Sequence, residues 1–331
     1  MLKTTTIITT ILCFLVLCSL LFVINSKERS TDPNSPSSVA TNLENPTTNT
    51  MITTKQFGII YPMAHSYYGM ITQIAEKTAN ANGVRLIVKA PDETSLEQQI
   101  RMMDTLIRQQ VDGIALDPID SIALIPMINK AVESGIPVIC FESDSPESKR
   151  LAFIGSDNYH SGEKMGMMIG SLLKNKGMIL VETGMPEMNS LSERLEGLLH
   201  YINKYTDIQV LDVRYNEGNS ARATSDLEFM IDEHPHFDAF VGLDFISASS
   251  SVFVWKAKGL DRYAFTFGKS TSIQEAIHNG QITSSLSQNE QEWGKLIVER
   301  LLQASVGESI PVFDNTGITE INRDELQIDK M

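Results

Sequence analysis

From residue 57 onward, short apolar runs alternate with longer amphipathic stretches, and the series runs twice. No other feature constrains the fold as tightly. In the first series the strand candidates are 57–61, 85–90, 113–117 and 137–142, with helix patterns at 68–81, 95–110 and 122–134. In the second of these helices Leu96, Ile100, Met103 and Ile107 share one face at helical spacing. The second series has strands at 178–182, 209–214, 239–243 and 264–267, and helices at 191–204, 221–233, 247–258 and 271–279. Strand–helix–strand alternation with short connections predicts an α/β protein whose parallel sheets are doubly wound through right-handed crossovers. Two series predict two lobes with a cleft between facing strand ends. A further helix at 292–304 is expected to return to the first lobe, and a strand-like tail at 317–321 follows. The chain then crosses between lobes more than once, which makes a hinge. The expected lobes are 53–156 plus 289–316, and 157–288 plus 317–331.

The strand beginning at Ile136-Pro137-Val138-Ile139 ends abruptly in Glu142-Ser143-Asp144-Ser145. Open α/β sheets bind ligands beyond the carboxyl ends of their strands. Polar side chains collected there point to a binding crevice; the plain alternative is an ordinary strand followed by a polar loop. Repetition of the same layout along the chain favours the crevice.

Residues 7–24 are apolar apart from two threonines, two cysteines and a serine. With Thr5 and Thr6 the run reaches about 20 residues, enough for one transmembrane helix. A cleaved signal needs small residues before the cut, which Val23-Ile24-Asn25 does not supply. A lipidated cysteine is the other alternative, but bulky Leu17 precedes Cys18 and the apolar run continues after it. Residues 1–26 are therefore read as an uncleaved anchor. Residues 27–52, rich in Ser, Thr, Asn and Pro, are read as a flexible tether.

The net charge of −14 excludes nucleic acid as a partner, because phosphate binding needs clustered Lys and Arg. With Cys13 and Cys18 in the apolar run, Cys140 stands alone as a small core residue. Trp255 and Trp293 are read as core or surface residues, Asp157-Asn158 as a helix cap, and His234-Pro235 as a turn. Neither a metal-ligand spacing, a phosphate loop nor a nucleophile elbow occurs, and no cofactor is expected.

Several markers stand in a familiar order: Tyr67-Tyr68 after the first strand, Ile136 to Pro146, and Ile154-Gly155-Ser156-Asp157-Asn158-Tyr159. Ser192-Glu193-Arg194-Leu195-Glu196-Gly197, His234-Pro235 and Asn279-Gly280 before Ser287-Gln288-Asn289 complete the set. Over 57–321 the chain resembles periplasmic sugar-binding proteins of the ribose/galactose/xylose type. The resemblance implies the type I fold, an extracytoplasmic location and a ligand held between the lobes. It implies ring stacking on Tyr67 and Tyr68 and carboxylate acceptors at Glu142 and Asp144, beside Ser143, and at Asp244. Arg194 and Gln288 would donate to ligand oxygens, and His65 falls where relatives often have a polar contact. The chain departs from the pattern at Leu243, where relatives carry a polar residue, and at Gly268, where they carry an acid; Lys269 follows and is expected to fill that space. Ribose is therefore not carried over as the ligand, and a pocket that has lost sugar binding is an open alternative.

Three functions follow. The first is a membrane-anchored receptor, its globular part outside the cell, that closes on a sugar and signals to a membrane sensor kinase. The second is the same receptor delivering sugar to an ABC permease. The third, an enzyme, lacks every motif named above. The uncleaved anchor favours the first.

Overall fold

The computed structural model describes residues 54–328, which form two sheets, each covered by helices on both faces. The anchor and tether expected over 1–26 and 27–52 lie outside the described residues. Among the described residues no helix is long and apolar enough to cross a membrane.

The first sheet contains β1 (Gln56–Ile60), β2 (Arg85–Lys89), β3 (Gly113–Leu116), β4 (Val138–Phe141) and β5 (Ala152–Gly155). Between them run α1 (Tyr67–Ala81), α2 (Leu96–Arg108) and α3 (Ile125–Glu133). Every residue of β3, β4 and β5 is buried, as expected for parallel strands covered on both sides. The strand period divides the core: Phe57 and Ile59 of β1 pack with Ile71 and Ala75 of α1, while Ile60 faces Met103 and Leu106 of α2.

The second sheet contains β6 (Lys176–Thr183), β7 (Asp207–Tyr215), β8 (Ala239–Gly242), β9 (Tyr263–Phe267) and β10 (Ser284–Ser287). Its helices are α4 (Asn158–Leu172), α5 (Asn189–Tyr205), α6 (Ser220–Glu233), α7 (Phe245–Lys258) and α8 (Thr271–His278). A last long helix, α9 (Trp293–Ser305), packs on α1 of the first lobe through Trp293, Ile297, Val298 and Leu301. Trp255 is likewise core, in the second lobe.

Two short strands close the sheets, β11 (Phe313–Asn315) beside β5 and β12 (Thr319–Ile321) beside β10. The sheet orders are β11-β5-β4-β3-β1-β2 and β12-β10-β9-β8-β6-β7. Two corrections to the sequence reading follow. The second sheet is not wholly parallel, because the tail turns back and β12 runs antiparallel to β10. And β11, too short and polar to give a periodic signal, adds a parallel edge strand to the first sheet.

The chain passes between the sheets at β5–α4, at β10–α9 and at β11–β12. Side chains lace these passages together. Asn289 donates to the Thr316 carbonyl (2.7 Å), Thr316 donates to the Gln288 carbonyl (2.7 Å), and Ser156 donates to the Gly317 carbonyl (2.9 Å).

Order reverses between β1 and β3 in one sheet and between β6 and β8 in the other. Those reversals open crevices at the carboxyl strand ends, the usual ligand position of a wound sheet. One helix bordering the crevice is fixed by backbone contact. A Cβ on Gly162 of α4 would lie 2.0 Å from the Arg194 carbonyl oxygen on α5, and one on Gly197 would lie 2.0 Å from that of Tyr159. Only glycine permits this approach. Gly162→Ala and Gly197→Ala are each expected to lower stability by about 1–3 kcal/mol, read as a lower urea midpoint. An unchanged midpoint in both variants would show that the helices can separate without cost.

Candidate ligand-binding cleft

The strand ends of the two lobes face each other across a cleft whose floor is set by Arg194. This side chain is 1% exposed, although it projects from a helix. Its Nε donates to Asn158 Oδ1 (2.9 Å), one Nη to the Leu243 carbonyl (3.0 Å) and the other to Gln288 Oε1 (2.7 Å). The guanidinium also lies over the Phe267 ring at 4.9 Å. It thereby joins the start of α4, the end of β8 and the passage after β10. Of its five N–H groups three are committed within the protein, leaving one on each terminal nitrogen.

Three buried carboxyls act on this cation, and a fourth, Glu290, acts on Glu142. Glu142 follows β4 with φ 59°, a left-handed conformation that is strained in a residue with a Cβ. Burial pushes its carboxyl up to about 7 despite the nearby Arg194. Asp117, at the end of β3, accepts from the Tyr68 hydroxyl (3.1 Å) and is raised well above the usual range by burial and by Glu142. The two carboxyls adjoin, and Glu142 adds to the rise of Asp117. Asp244 caps α7 by accepting from Ser247 N (2.8 Å) and also accepts from Asn216, while burial raises it. Glu290 accepts from Lys269 N, Ser287 Oγ and Gln288 N.

Aromatic rings close the cleft. Tyr61 and Tyr68 stack at 4.5 Å. Phe245, the first residue of α7, stacks on Tyr67 at 4.4 Å and meets Tyr68 edge-on at 5.6 Å. The Tyr67 face assigned to a ligand ring is thus covered by a side chain of the opposite lobe. Elsewhere the lobes touch through Ser190 N donating to Ser143 Oγ (3.2 Å) and Ser121 N donating to the Glu187 carbonyl (3.2 Å). Ile119, Met185, Met188 and Leu191 form an apolar seam. Inside remains a cavity of about 20 Å3 bordered by Tyr68, Glu142, Asp244 and Phe245. Outside it, a wider mouth of about 260 Å3 is lined by His65, Tyr67, Phe245 and Lys269.

The structure therefore brings Tyr67, Tyr68, Glu142, Ser143, Arg194, Asp244 and Gln288 to one cleft. His65 stands at its mouth, half-buried, with Nδ1 accepting from Tyr67 N (3.1 Å), and burial lowers its pKa. Two expected residues are placed otherwise. Asp144 is turned into a two-pronged ion pair with Arg150 (2.7 and 2.6 Å), because a tight turn brings that guanidinium behind the strand end. Lys269 is exposed at the mouth and does not fill the space beside Gly268; its own N–H is held by Glu290 instead.

Sequence reasoning passed over Asp117 and Phe245, and treated Asn158 only as part of a cap. Asp157 provides the cap by accepting from His160 N (2.9 Å), and this frees Asn158 to hold Arg194. Asp117 carried a usable signal: it ends its strand as Glu142 ends the next, one strand over. Phe245 carried none, since one apolar residue opening an amphipathic helix reads as core.

The chain matches the family model described as "Periplasmic binding protein domain" over residues 57–309. It is 22% identical over 224 residues to the Bacillus subtilis ribose import binding protein RbsB, covering 68% of this chain and 72% of the relative. Among solved structures, it is similar to GanP, a glucose-galactose binding protein from Geobacillus stearothermophilus. That match has a TM-score of 0.78 and 22% identity, covering 82% of this chain and 99% of the other. It is equally similar to a chain of the XylFII-LytSN complex, with a TM-score of 0.77, 20% identity, and coverage of 82% and 98%.

Beneath the cleft, Glu182 of β6 is fully buried with neither carboxyl oxygen hydrogen-bonded. Burial, reinforced by Asp244, pushes its pKa up to about 9 from an ordinary 4.5. A raised carboxyl favours the folded state in its protonated form. That stability is complete below pH 4.5 and is lost as pH rises through about 9. Glu182→Gln is expected to flatten the decline and to gain at least about 2 kcal/mol at the alkaline end. Urea unfolding of both proteins across this range checks it; parallel curves would refute it.

Proposed function

This chain belongs to the periplasmic binding protein family, and we propose that it is an extracytoplasmic receptor that closes its two lobes on a sugar. The observation that carries this reading is the buried Arg194 fork, which ties the start of α4 and the end of β8 in the second lobe to the passage after β10 and keeps two N–H groups for a ligand. A guanidinium with flanking carboxylates suits vicinal hydroxyls, which donate and accept at once. Affinity in the micromolar range requires only about 8 kcal/mol, within reach of a few such contacts and a ring stack. The relatives named as ribose and glucose-galactose binding proteins support the same ligand class.

A ligand entering the cleft must part Phe245 from Tyr67. Once between the lobes, it would touch Tyr68 and Glu142 on one side and Arg194 and Asp244 on the other. Contacts available only when both sides meet favour the closed arrangement, so ligand occupancy is converted into lobe geometry. Ser156, Asn289 and Thr316 lie where the passages are laced and would absorb the motion.

Two destinations for the closed form are supported by different observations. The apolar run that continues past Cys18 favours an uncleaved anchor and a permanent partner in the same membrane, a sensor kinase. A structural neighbour solved with a partner protein, the XylFII-LytSN complex, supports assembly with a partner protein within this fold. The ribose import binding protein supports delivery to an ABC permease. Mass spectrometry of the mature chain separates them: an unmodified N-terminal segment supports the anchored sensor, and a lipid on Cys18 supports the importer.

Thermal unfolding of the full-length chain with a panel of pentoses and hexoses tests the ligand class. A binding sugar at a hundred times its Kd should stabilise by about 2.7 kcal/mol. Arg194→Ala should remove that response while unfolding stays cooperative, although at lower temperature because buried acids lose their counter-charge. If no sugar shifts the midpoint, the reading fails.

A further inference from the structure

The cleft holds more buried acid than its one buried cation can neutralise. Asp117, Glu142 and Asp244 act on Arg194, and Glu290 acts on Glu142. Asp244 and Glu290 are supplied with donors from the backbone and from neighbouring side chains. Asp117 and Glu142 are supplied less fully: Asp117 accepts from the Tyr68 hydroxyl, but its Oδ1 and Glu142 Oε2 are fully buried and have no hydrogen-bond partner outside this carboxyl pair. Arg194 cannot serve all of them, since three of its N–H groups are directed to Asn158, Leu243 and Gln288.

The space beside Glu142 has a definite character. Glu142 and Asp244 are the two acids that border this small cavity, and the rest of its wall is apolar, including the Tyr68 and Phe245 rings, Met185 and Met188. At about 20 Å3 it accommodates one water-sized group. A hydroxyl placed there would donate a single hydrogen and leave the charge uncompensated. An ammonium has nearly the same size, carries three donors and opposite charge, and is attracted by aromatic faces.

We propose that the cleft selects a sugar bearing a protonated amine, with the ammonium between Glu142 and Asp244 and against Tyr68 and Phe245. This inference rests on the sugar-receptor reading and specifies its ligand. The hydroxyls of such a sugar would meet the two remaining N–H groups of Arg194. Neutral sugars would bind the same surface without relieving the excess acid.

Calorimetric titration of the full-length chain tests this, using pentoses and hexoses paired with their 2-amino counterparts and N-acetylated forms. At least one amino sugar should bind about tenfold or more tightly than its neutral partner, and N-acetylation should abolish the advantage. Glu142→Gln should erase the preference by weakening the amino sugar about tenfold more than it weakens the neutral partner. Asp117→Asn, checked by circular dichroism, should act in the same direction and serves if Glu142→Gln does not fold. Equal or tighter binding of every neutral partner overturns the amine assignment and leaves the sugar receptor standing. Absence of binding by either class removes both.

Discussion

The buried guanidinium of Arg194 is the constraint on which the cleft depends. A charge taken out of water is tolerated only when its donors are directed and its field is answered. Asn158, the Leu243 carbonyl and Gln288 direct it, and the surrounding carboxyls answer it. Each partner belongs to a different stretch of chain, so meeting the demands of one side chain fixes the start of α4, the end of β8 and the passage after β10 relative to α5. The glycine contacts between α4 and α5 serve the same end, because they bring the Arg194 backbone against α4 and leave its side chain pointing into the cleft.

Electrostatics in the cleft is then a consequence of enclosure. Carboxyls that would be ordinary on a surface are raised here because the lobes exclude water from them. The strained backbone of Glu142 belongs to the same pattern, since strain that persists in a non-glycine residue is held in place by its surroundings. The contact of Phe245 with Tyr67 adds a competition, for a ring from one lobe occupies the face that a ligand would use on the other. On the proposed reading, a ligand would be selected partly by its ability to displace that ring and partly by the charge it brings.

Much of the fold was legible because burial on both faces leaves a local record. The continuous apolar run of β4 and the helical spacing of Leu96, Ile100, Met103 and Ile107 each report which side of an element faces inward. Short or edge elements leave a weaker record: β11 has three residues, two exposed and one half-buried, and nothing in them announces pairing with β5. In the cleft, Arg194, Glu142 and Gln288 were found through their order along the chain. Asp144 was misplaced for a simple reason. Its sequence position marks a strand end, but whether its carboxylate faces the cleft or Arg150 depends on one turn.

By itself, then, the sequence determined the class of fold, the two wound series, and the strand ends at which polar side chains collect. These follow from periodicity and from the chemistry of single residues, both properties of neighbouring positions. Only the tertiary structure decided which of those ends meet. The pairing of Asp117 with Glu142, the seating of Arg194 against residues as distant as Gln288, and the cover of Phe245 over Tyr67 join positions far apart in the chain. Such contacts are chosen by packing and by the exclusion of water, and neither acts until the chain has closed upon itself.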